Sequence, residues 1–192
     1  ENVNISGYKD VNFKFENGIP IPQFDISVTL RNEGSYTGKI LFDSGAGLTL
    51  LINTPYNKEN KLSEKAGKSL ISKSENLHGE SISEDIAIKS MNIGGYQLNE
   101  MVVSIANDKN GVSSYENYLG LLGATVISKF NIVLDYSSST LYLKPNNTFS
   151  KSFEFPLSGI ELKKVDDTIV INRIEKQAQH IRKALEKKIN WF

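Results

Sequence analysis

The amino-acid sequence predicts an all-β domain over residues 10–145, a linker over residues 146–158 and a small α+β extension over residues 159–192. Two observations support this division. Between residues 11 and 143, apolar residues alternate with polar ones or form short continuous runs, which are the two patterns of β-strands. After Pro145 the chain becomes polar and later takes on a helical period. With 192 residues, it can bury a core without disulfides.

Three strand patterns surround the first polar turn. Residues 24–30 alternate strictly between apolar and polar side chains, as in a half-buried strand. Residues 40–42 are Ile-Leu-Phe, a continuous apolar run that is typical of a central strand and that stops at Asp43. Strand character resumes at residues 48–52, and the polar stretch at residues 58–74 predicts a solvated loop with a short helix.

The second half of the domain continues the sequence of strands and turns. Gly94-Gly95 is a two-residue hairpin signal between strands predicted at residues 82–93 and 98–105. Three short segments complete the domain: an apolar run that ends in glycine, a helix and a closing hairpin, at residues 121–123, 124–129 and 130–143.

The C-terminal extension combines strand and helix patterns. Residues 160–171 predict two short strands around Asp166-Asp167. Residues 174–192 place apolar side chains at steps of three or four, with lysines on the opposite face, which predicts an amphipathic helix. Packing of this helix on neighbouring elements is the favoured interpretation, and contact with a membrane or partner is the alternative.

Composition narrows the chemistry that the domain can perform. Basic and acidic residues number 22 each, so there is no basic excess to attract nucleic acid. The absence of cysteine excludes disulfides, thiol nucleophiles and cysteine-ligated metals, and the two histidines form no metal-binding pattern. No apolar run approaches the roughly 18 residues of a membrane-spanning helix. We therefore expect no cofactor, metal, nucleic-acid partner or transmembrane segment.

The tripeptide Asp43-Ser44-Gly45 is the candidate centre of chemistry. Taken alone, it is an ordinary turn sequence. Here it follows the apolar run at residues 40–42 and is soon followed by another at residues 48–52, so a buried strand delivers the carboxylate. Because burying a charge without partners is costly, this placement favours a functional carboxylate. An ordinary turn on a β-barrel scaffold is the alternative.

Two motifs in this order resemble those of the retropepsin-like aspartic proteases. The first is the apolar strand that runs into Asp43-Ser44-Gly45-Ala46, and the second is Leu122-Gly123 before a short helix and the closing hairpin. The resemblance extends over about residues 11–143. It implies an acid-protease fold, a retropepsin-like closed β-barrel lobe, and an aspartic endopeptidase that acts on peptide or protein substrates.

The resemblance also implies a role for individual residues. Asp43 would supply a catalytic carboxylate that activates a water molecule. Support of the active-site loop would fall to Ser44, Gly45, Ala46, Leu122 and Gly123. A β-hairpin flap over the substrate is predicted at His78, Gly79 and Glu80, and an exposed loop with a solvated histidine is the alternative there.

A complete site of this kind needs two carboxylates that share one proton, and the chain carries one such motif. Asp135 lies in the closing hairpin, where the family uses the equivalent residue structurally. The second aspartate would come from a homodimer or from a homologous lobe, and the start at Glu1 slightly favours the lobe. Family members commonly have Ser, Thr or Asp where this chain has Gly47. The alternative function is therefore a catalytically inactive lobe that serves as a dimerisation or peptide-binding module.

Beyond the lobe, the resemblance implies two further properties. Residues 159–174 resemble the opening strands of a PDZ domain, which often follows such proteases in bacteria, although the Ala-Gly-Leu and Gly-Asp elements of that family are absent. Bacterial relatives of this kind are exported, so a periplasmic, cell-surface or secreted location is expected.

Overall fold

The computed structural model describes residues 3–32, 34–67, 69–76, 79–153 and 160–174. Within these ranges the strands are β1 Lys9–Asn12, β2 Gln23–Leu30, β3 Ser35–Phe42, β4 Leu50–Ile52, β5 Ser69–Asn76, β6 Gly79–Ile93, β7 Tyr96–Ala106, β8 Gly120–Leu122, β9 Phe130–Asp135, β10 Thr140–Pro145, β11 Ile160–Val165 and β12 Thr168–Ile174. The helices are α1 Thr54–Asn60, α2 Leu62–Ala66 and α3 Ala124–Ile127, and a 3₁₀ turn spans Val112–Ser114.

Six of these strands close into a barrel. Their order is β2-β3-β8-β4-β7-β6, and pairing between β6 and β2 completes the ring. Strand β5 extends β6 outside the ring, while β1, β10 and β9 form a separate three-stranded sheet. The predicted all-β closed barrel is therefore confirmed. Strand β8 lies between β3 and β4, parallel to the first and antiparallel to the second.

The barrel interior holds the main hydrophobic core, and strand β2 shows how the sequence builds it. Its apolar residues are buried in that core while Asp25 between them is exposed, as the alternation predicts: Phe24, Ile26, Val28 and Leu30. The hairpin predicted between β6 and β7 is also present. Gly94 and Gly95 have φ angles of 54° and 75°, which suit the left-handed residues of a two-residue turn.

The last three residues of β3 are apolar because both faces of the strand are covered there. Ile40 and Phe42 belong to the core inside the barrel. Leu41 is also buried, but it belongs to a second cluster with Tyr118 and Leu121. Because successive side chains of a strand point to opposite faces, this second cluster lies on the outer face of the barrel wall.

The solvated loop predicted for residues 58–74 is wrong in its extent. Helix α1 begins earlier, at Thr54, and helix α2 follows it at Leu62–Ala66. From Ser69 onward the chain forms strand β5, which pairs with β6 in register from Ser69 opposite Ile86 to Asn76 opposite Gly79. An edge strand outside the barrel needs no alternation of apolar residues, because backbone hydrogen bonds to one neighbour hold it. The polar sequence of β5 therefore gave no pattern from which a strand could be predicted.

Residues 146–153, which the sequence predicts as the start of a linker, pack against the barrel. The ammonium group of Lys129 donates hydrogen bonds to the carbonyl oxygens of Thr148 and Lys151, at 3.0 and 2.7 Å, and lies 4.7 Å from the ring centroid of Phe153. Phe153 is buried in the main core. Lys129, close behind α3, thus fastens this segment to the barrel.

The C-terminal extension contains the two predicted strands, while the predicted helix lies outside the described residues. Strands β11 and β12 pair around Asp166 and Asp167, which confirms the hairpin. The amphipathic helix falls on residues 175–192, and the remainder of the linker on residues 154–159, both outside the described residues. A two-stranded hairpin does not define a PDZ domain, so that resemblance stays a prediction. Among the described residues, no helix has the length and apolar character to span a membrane.

Candidate active site

Asp43 is the first residue after β3, in the loop that leads to β4. Its N–H donates to the carbonyl oxygen of Leu122 at 3.0 Å, and its Oδ1 accepts a hydrogen bond from the Gly45 N–H at 2.8 Å. The residue is half-buried. Within the described part of the chain, no group donates to Oδ2. The loop therefore holds the carboxylate through one oxygen and leaves the other available at the end of the barrel.

Helix α3 approaches this loop end-on. Three successive N–H groups donate to carbonyl oxygens of the loop. Gly123 donates to Thr49 at 3.0 Å, Ala124 to Ala46 at 2.7 Å, and Thr125 to Leu48 at 3.1 Å. A Cβ on Gly123 would lie 2.2 Å from the Leu48 carbonyl oxygen, so only glycine allows this approach. Leu122 and Gly123 thus lie directly against the Asp43 loop.

Thr49 adds a support that the sequence analysis missed. Its hydroxyl donates to the carbonyl oxygen of Val102 at 2.5 Å and so ties the loop to β7. The backbone carbonyl of the same residue accepts the Gly123 N–H. A threonine inside an apolar strand pattern was the available signal, because a hydroxyl in such a setting needs a partner.

The remaining loop residues are open to solvent. Ser44, Gly45 and Gly47 are exposed, and Ala46 is half-buried. In the described structure the Ser44 hydroxyl has no hydrogen-bond partner, so it does not supply the support of the active-site loop that the resemblance implies for this residue. A Cβ added at Gly47 would meet no atom within 4 Å. A side chain at this position would extend into open space, and the backbone bonds of the loop are intact without it.

A small apolar cluster lies next to the Asp43 loop, on the outer face of the barrel wall. Leu41, Leu121 and Leu51 stand side by side across β3, β8 and β4. Leu41 and Leu121 are buried with Tyr118, and partly buried side chains pack against them from two loops: Ile19, Ile21, Ala46, Leu48 and, on β4, Leu51. Two of these residues belong to the Asp43 loop itself. The Asp43 loop is therefore anchored on a buried apolar cluster.

The loop that carries Ile19 and Ile21 is held by a polar network. Glu16 pairs with Lys39 on β3, and this hydrogen-bonded contact lowers the pKa of Glu16 and raises that of Lys39. Deeper in, Tyr118 and Gln23 are hydrogen-bonded to each other. The sequence analysis assigned no role to this loop, although Asn17-Gly18 is a turn signal.

The predicted flap residues fall at the end of the β5–β6 hairpin. Gly79 and Glu80 are the first residues of β6 and pair with Asn76 and Glu75 of β5. His78 lies outside the described residues. The structure thus provides a hairpin at the predicted position, and its role over a substrate stays a prediction.

Asp135 caps the turn of the closing hairpin. Its carboxylate accepts hydrogen bonds from the hydroxyl and N–H groups of Ser137 and Ser138, at distances between 2.5 and 3.3 Å. The hydroxyl of Ser137 contributes most to lowering the pKa of Asp135 to about 2. A carboxylate committed to four donors in a turn acts structurally, and Asp43 remains the candidate for catalysis.

This contact predicts a pH-dependent stability. The folded-state pKa of Asp135, about 2, lies below its ordinary value of 3.8, so ionised Asp135 stabilises the folded chain. We expect Asp135→Asn to be less stable than wild type by a constant amount above about pH 5, and the difference to shrink toward zero as the pH falls to about 2. Urea unfolding of both proteins across this range measures it. A difference that stays constant down to the lowest pH would contradict the assignment.

Comparison with known proteins reveals a structural likeness. No protein-family model matches the chain, and no curated protein matches it by sequence. Among solved structures, the chain is similar to a retropepsin-like aspartic protease from Rickettsia conorii, with a TM-score of 0.47 and 15% sequence identity. The match covers 71% of this chain and 90% of that chain.

Proposed function

We propose that the chain is one lobe of an aspartic endopeptidase, in which Asp43 pairs with a second Asp43 loop to hydrolyse peptide bonds. One observation supports this above the others. Asp43 is half-buried at the end of a core strand, and its loop is bound through backbone hydrogen bonds to Leu122, Gly123 and α3. An ordinary solvent turn needs no such support. The carboxylate keeps one oxygen free, as a group that must accept a proton requires.

The chemistry follows from two carboxylates held close together. Such a pair retains one proton, because both groups cannot be ionised at short distance. The ionised member takes a proton from a water molecule, whose oxygen attacks the peptide carbonyl carbon. The protonated member gives its proton to the carbonyl oxygen. When the resulting diol collapses, the C–N bond breaks, the nitrogen leaves as an amine with the proton taken from water, and one diol hydroxyl returns its proton to the other carboxylate, which leaves a carboxylic acid and restores the pair.

In this proposal the second carboxylate comes from another Asp43 loop, because the carboxylate of Asp135 is bound in its turn. A second copy with two-fold symmetry supplies an identical loop. The outer edge of strand β9 has no partner strand among the described residues, and its backbone groups are free for this association. Unpaired strand edges are a common site of strand pairing between chains. A periplasmic, cell-surface or secreted location, which the family resemblance implies, stays a prediction.

Gly47 favours a second candidate function. This position lacks the polar side chain that the resemblance leads one to expect, and the space beside it is empty. A lobe of this kind could dimerise and bind peptides without cleaving them.

The dependence of cleavage activity on protein concentration distinguishes the endopeptidase from the binding module. We expect the specific activity on an internally quenched peptide at acidic to neutral pH to rise with protein concentration, following the monomer–dimer equilibrium measured by sedimentation. Pepstatin provides a further probe, and inhibition by it would support the paired site. A dimer that cleaves no unfolded protein or peptide would overturn the proposed function in favour of the binding module.

A further inference from the structure

A recess of about 490 Å³ is lined by residues from α3, from the loop before β4 and from the segment after β10. This volume lies within the range of small-molecule sites. Two of the described lining residues are lysines, Lys129 and Lys151, and none of them is acidic. Five others carry hydroxyl groups: Thr49, Thr125, Ser128, Thr148 and Ser152. The recess therefore combines positive charge with hydroxyl donors.

Lys129 is the buried charge of this recess, with only 7% of its surface exposed. Its ammonium group has three N–H donors. Two of them are used by the carbonyl oxygens of Thr148 and Lys151, and the ring of Phe153 lies on another side. These partners are all neutral, and no carboxylate of the described residues lies within ion-pair distance. Because a buried charge is costly without a counter-charge, Lys129 favours an anion in the recess.

The other lining groups indicate which anion fits. Lys151 is exposed and brings a second positive charge to the recess. Thr125 and Ser152 are exposed too, and in the described structure neither hydroxyl has a hydrogen-bond partner. Two positive charges and unused hydroxyl donors match a dianion with several acceptor oxygens. A phosphate group has this charge and these oxygens, whereas a carboxylate has one charge and two oxygens.

We propose that this recess binds a phosphate group, either free or on a small phosphorylated molecule, with Lys129 as its buried cation. The site does not depend on the proposed protease activity, although it adjoins the Asp43 loop. The N–H of Thr125 donates to the Leu48 carbonyl oxygen, and the Thr49 carbonyl oxygen accepts the N–H of Gly123. Bound phosphate therefore joins the segment after β10 to the residues that hold the loop in place.

Titration of the protein with inorganic phosphate tests the site, at constant ionic strength and about pH 8, where phosphate is a dianion. Amide NMR signals of residues in the recess, such as Thr125 and Ser152, should shift until they saturate. We expect Lys129→Met to weaken binding at least tenfold, because it removes the buried charge. Lys151→Gln should weaken it about threefold, because the charge of Lys151 is exposed to solvent.

Ser152→Ala provides a second variant, because Lys129→Met also removes two hydrogen bonds that hold the segment after β10. The Ser152 hydroxyl has no partner in the described structure, so its loss should leave thermal unfolding unchanged without phosphate. Phosphate binding should become about threefold weaker. Wild-type affinity in both Ser152→Ala and Lys129→Met would overturn the site.

Lys58→Gln is the matched control for Lys151→Gln, because Lys58 is an exposed lysine in the last turn of α1, outside the recess. It should bind phosphate as wild type does. Glycerol 3-phosphate distinguishes the sources of the group: tighter binding than that of inorganic phosphate assigns a small phosphorylated molecule, and equal or weaker binding assigns free phosphate. Shifts that do not saturate, or equal weakening by the Lys58 and Lys151 variants, would show a general attraction of anions and overturn the site.

Discussion

Replacing Asp43 by Asn should abolish peptide cleavage, with kcat/KM falling by at least ~10³-fold. An amide cannot take a proton from water, so the pair loses the base that generates the nucleophile. The fold should survive, since the amide oxygen can still accept the Gly45 N–H that the Oδ1 of Asp43 accepts at 2.8 Å. Steady-state kinetics on a quenched peptide, with thermal unfolding in parallel, measures both effects.

Asp25→Asn is the matched control, because Asp25 is an exposed aspartate on β2 that points away from the core. It should cleave as fast as wild type. Cleavage by Asp43→Asn at the wild-type rate would contradict the assignment of Asp43, whatever the oligomeric state.

Mixing the two proteins tests whether the second carboxylate comes from a second copy. Random pairing of equal amounts of wild type and Asp43→Asn leaves about one quarter of the dimers with two aspartates. The activity of the equilibrated mixture should therefore be about a quarter of that of the same total amount of wild type. A value of about one half would show that each copy acts without the Asp43 of another.

Replacing Gly123 by Ala should be the most damaging change of a single methyl group in the site. The added Cβ would lie 2.2 Å from the Leu48 carbonyl oxygen and 2.7 Å from that of Ala46, and both are backbone atoms of the Asp43 loop. Either the loop or α3 has to move, which breaks the hydrogen bonds between them. We expect a loss of about 3 kcal/mol in the free energy of unfolding, at the upper end for overpacked sites. Activity should fall further, because the loop carries the carboxylate.

Gly47→Ala is the control for this prediction. It adds the same methyl group to the same loop, where no atom lies within 4 Å and where the backbone is not left-handed. Its free energy of unfolding should stay within about 0.5 kcal/mol of wild type. Urea unfolding of both variants and wild type, analysed with one common m-value, measures these differences in the free energy of unfolding. Equal stability of both variants would show that α3 does not clamp the loop as described.

Local patterns in the sequence were sufficient for the strands of the all-β domain, whereas the closed barrel was expected only from the family resemblance. Successive side chains of a strand point to opposite faces. The alternation in β2 therefore indicates one buried face, and the continuous apolar run at the end of β3 indicates two. Gly94-Gly95 marks its turn because few other residues adopt positive φ without strain. Strand β5 escaped detection because an edge strand outside the barrel carries no burial pattern.

The contacts around Asp43 were decided by the tertiary structure. Only the insertion of β8 between β3 and β4 brings Leu122 and Gly123 against a loop that is distant in sequence. The bond between Tyr118 and Gln23 likewise joins residues whose local patterns say nothing of each other. Strand patterns record burial, whereas the choice of neighbouring strand depends on packing across the whole chain. The sequence by itself therefore determined an all-β domain with a candidate carboxylate, and the tertiary structure decided what supports that carboxylate.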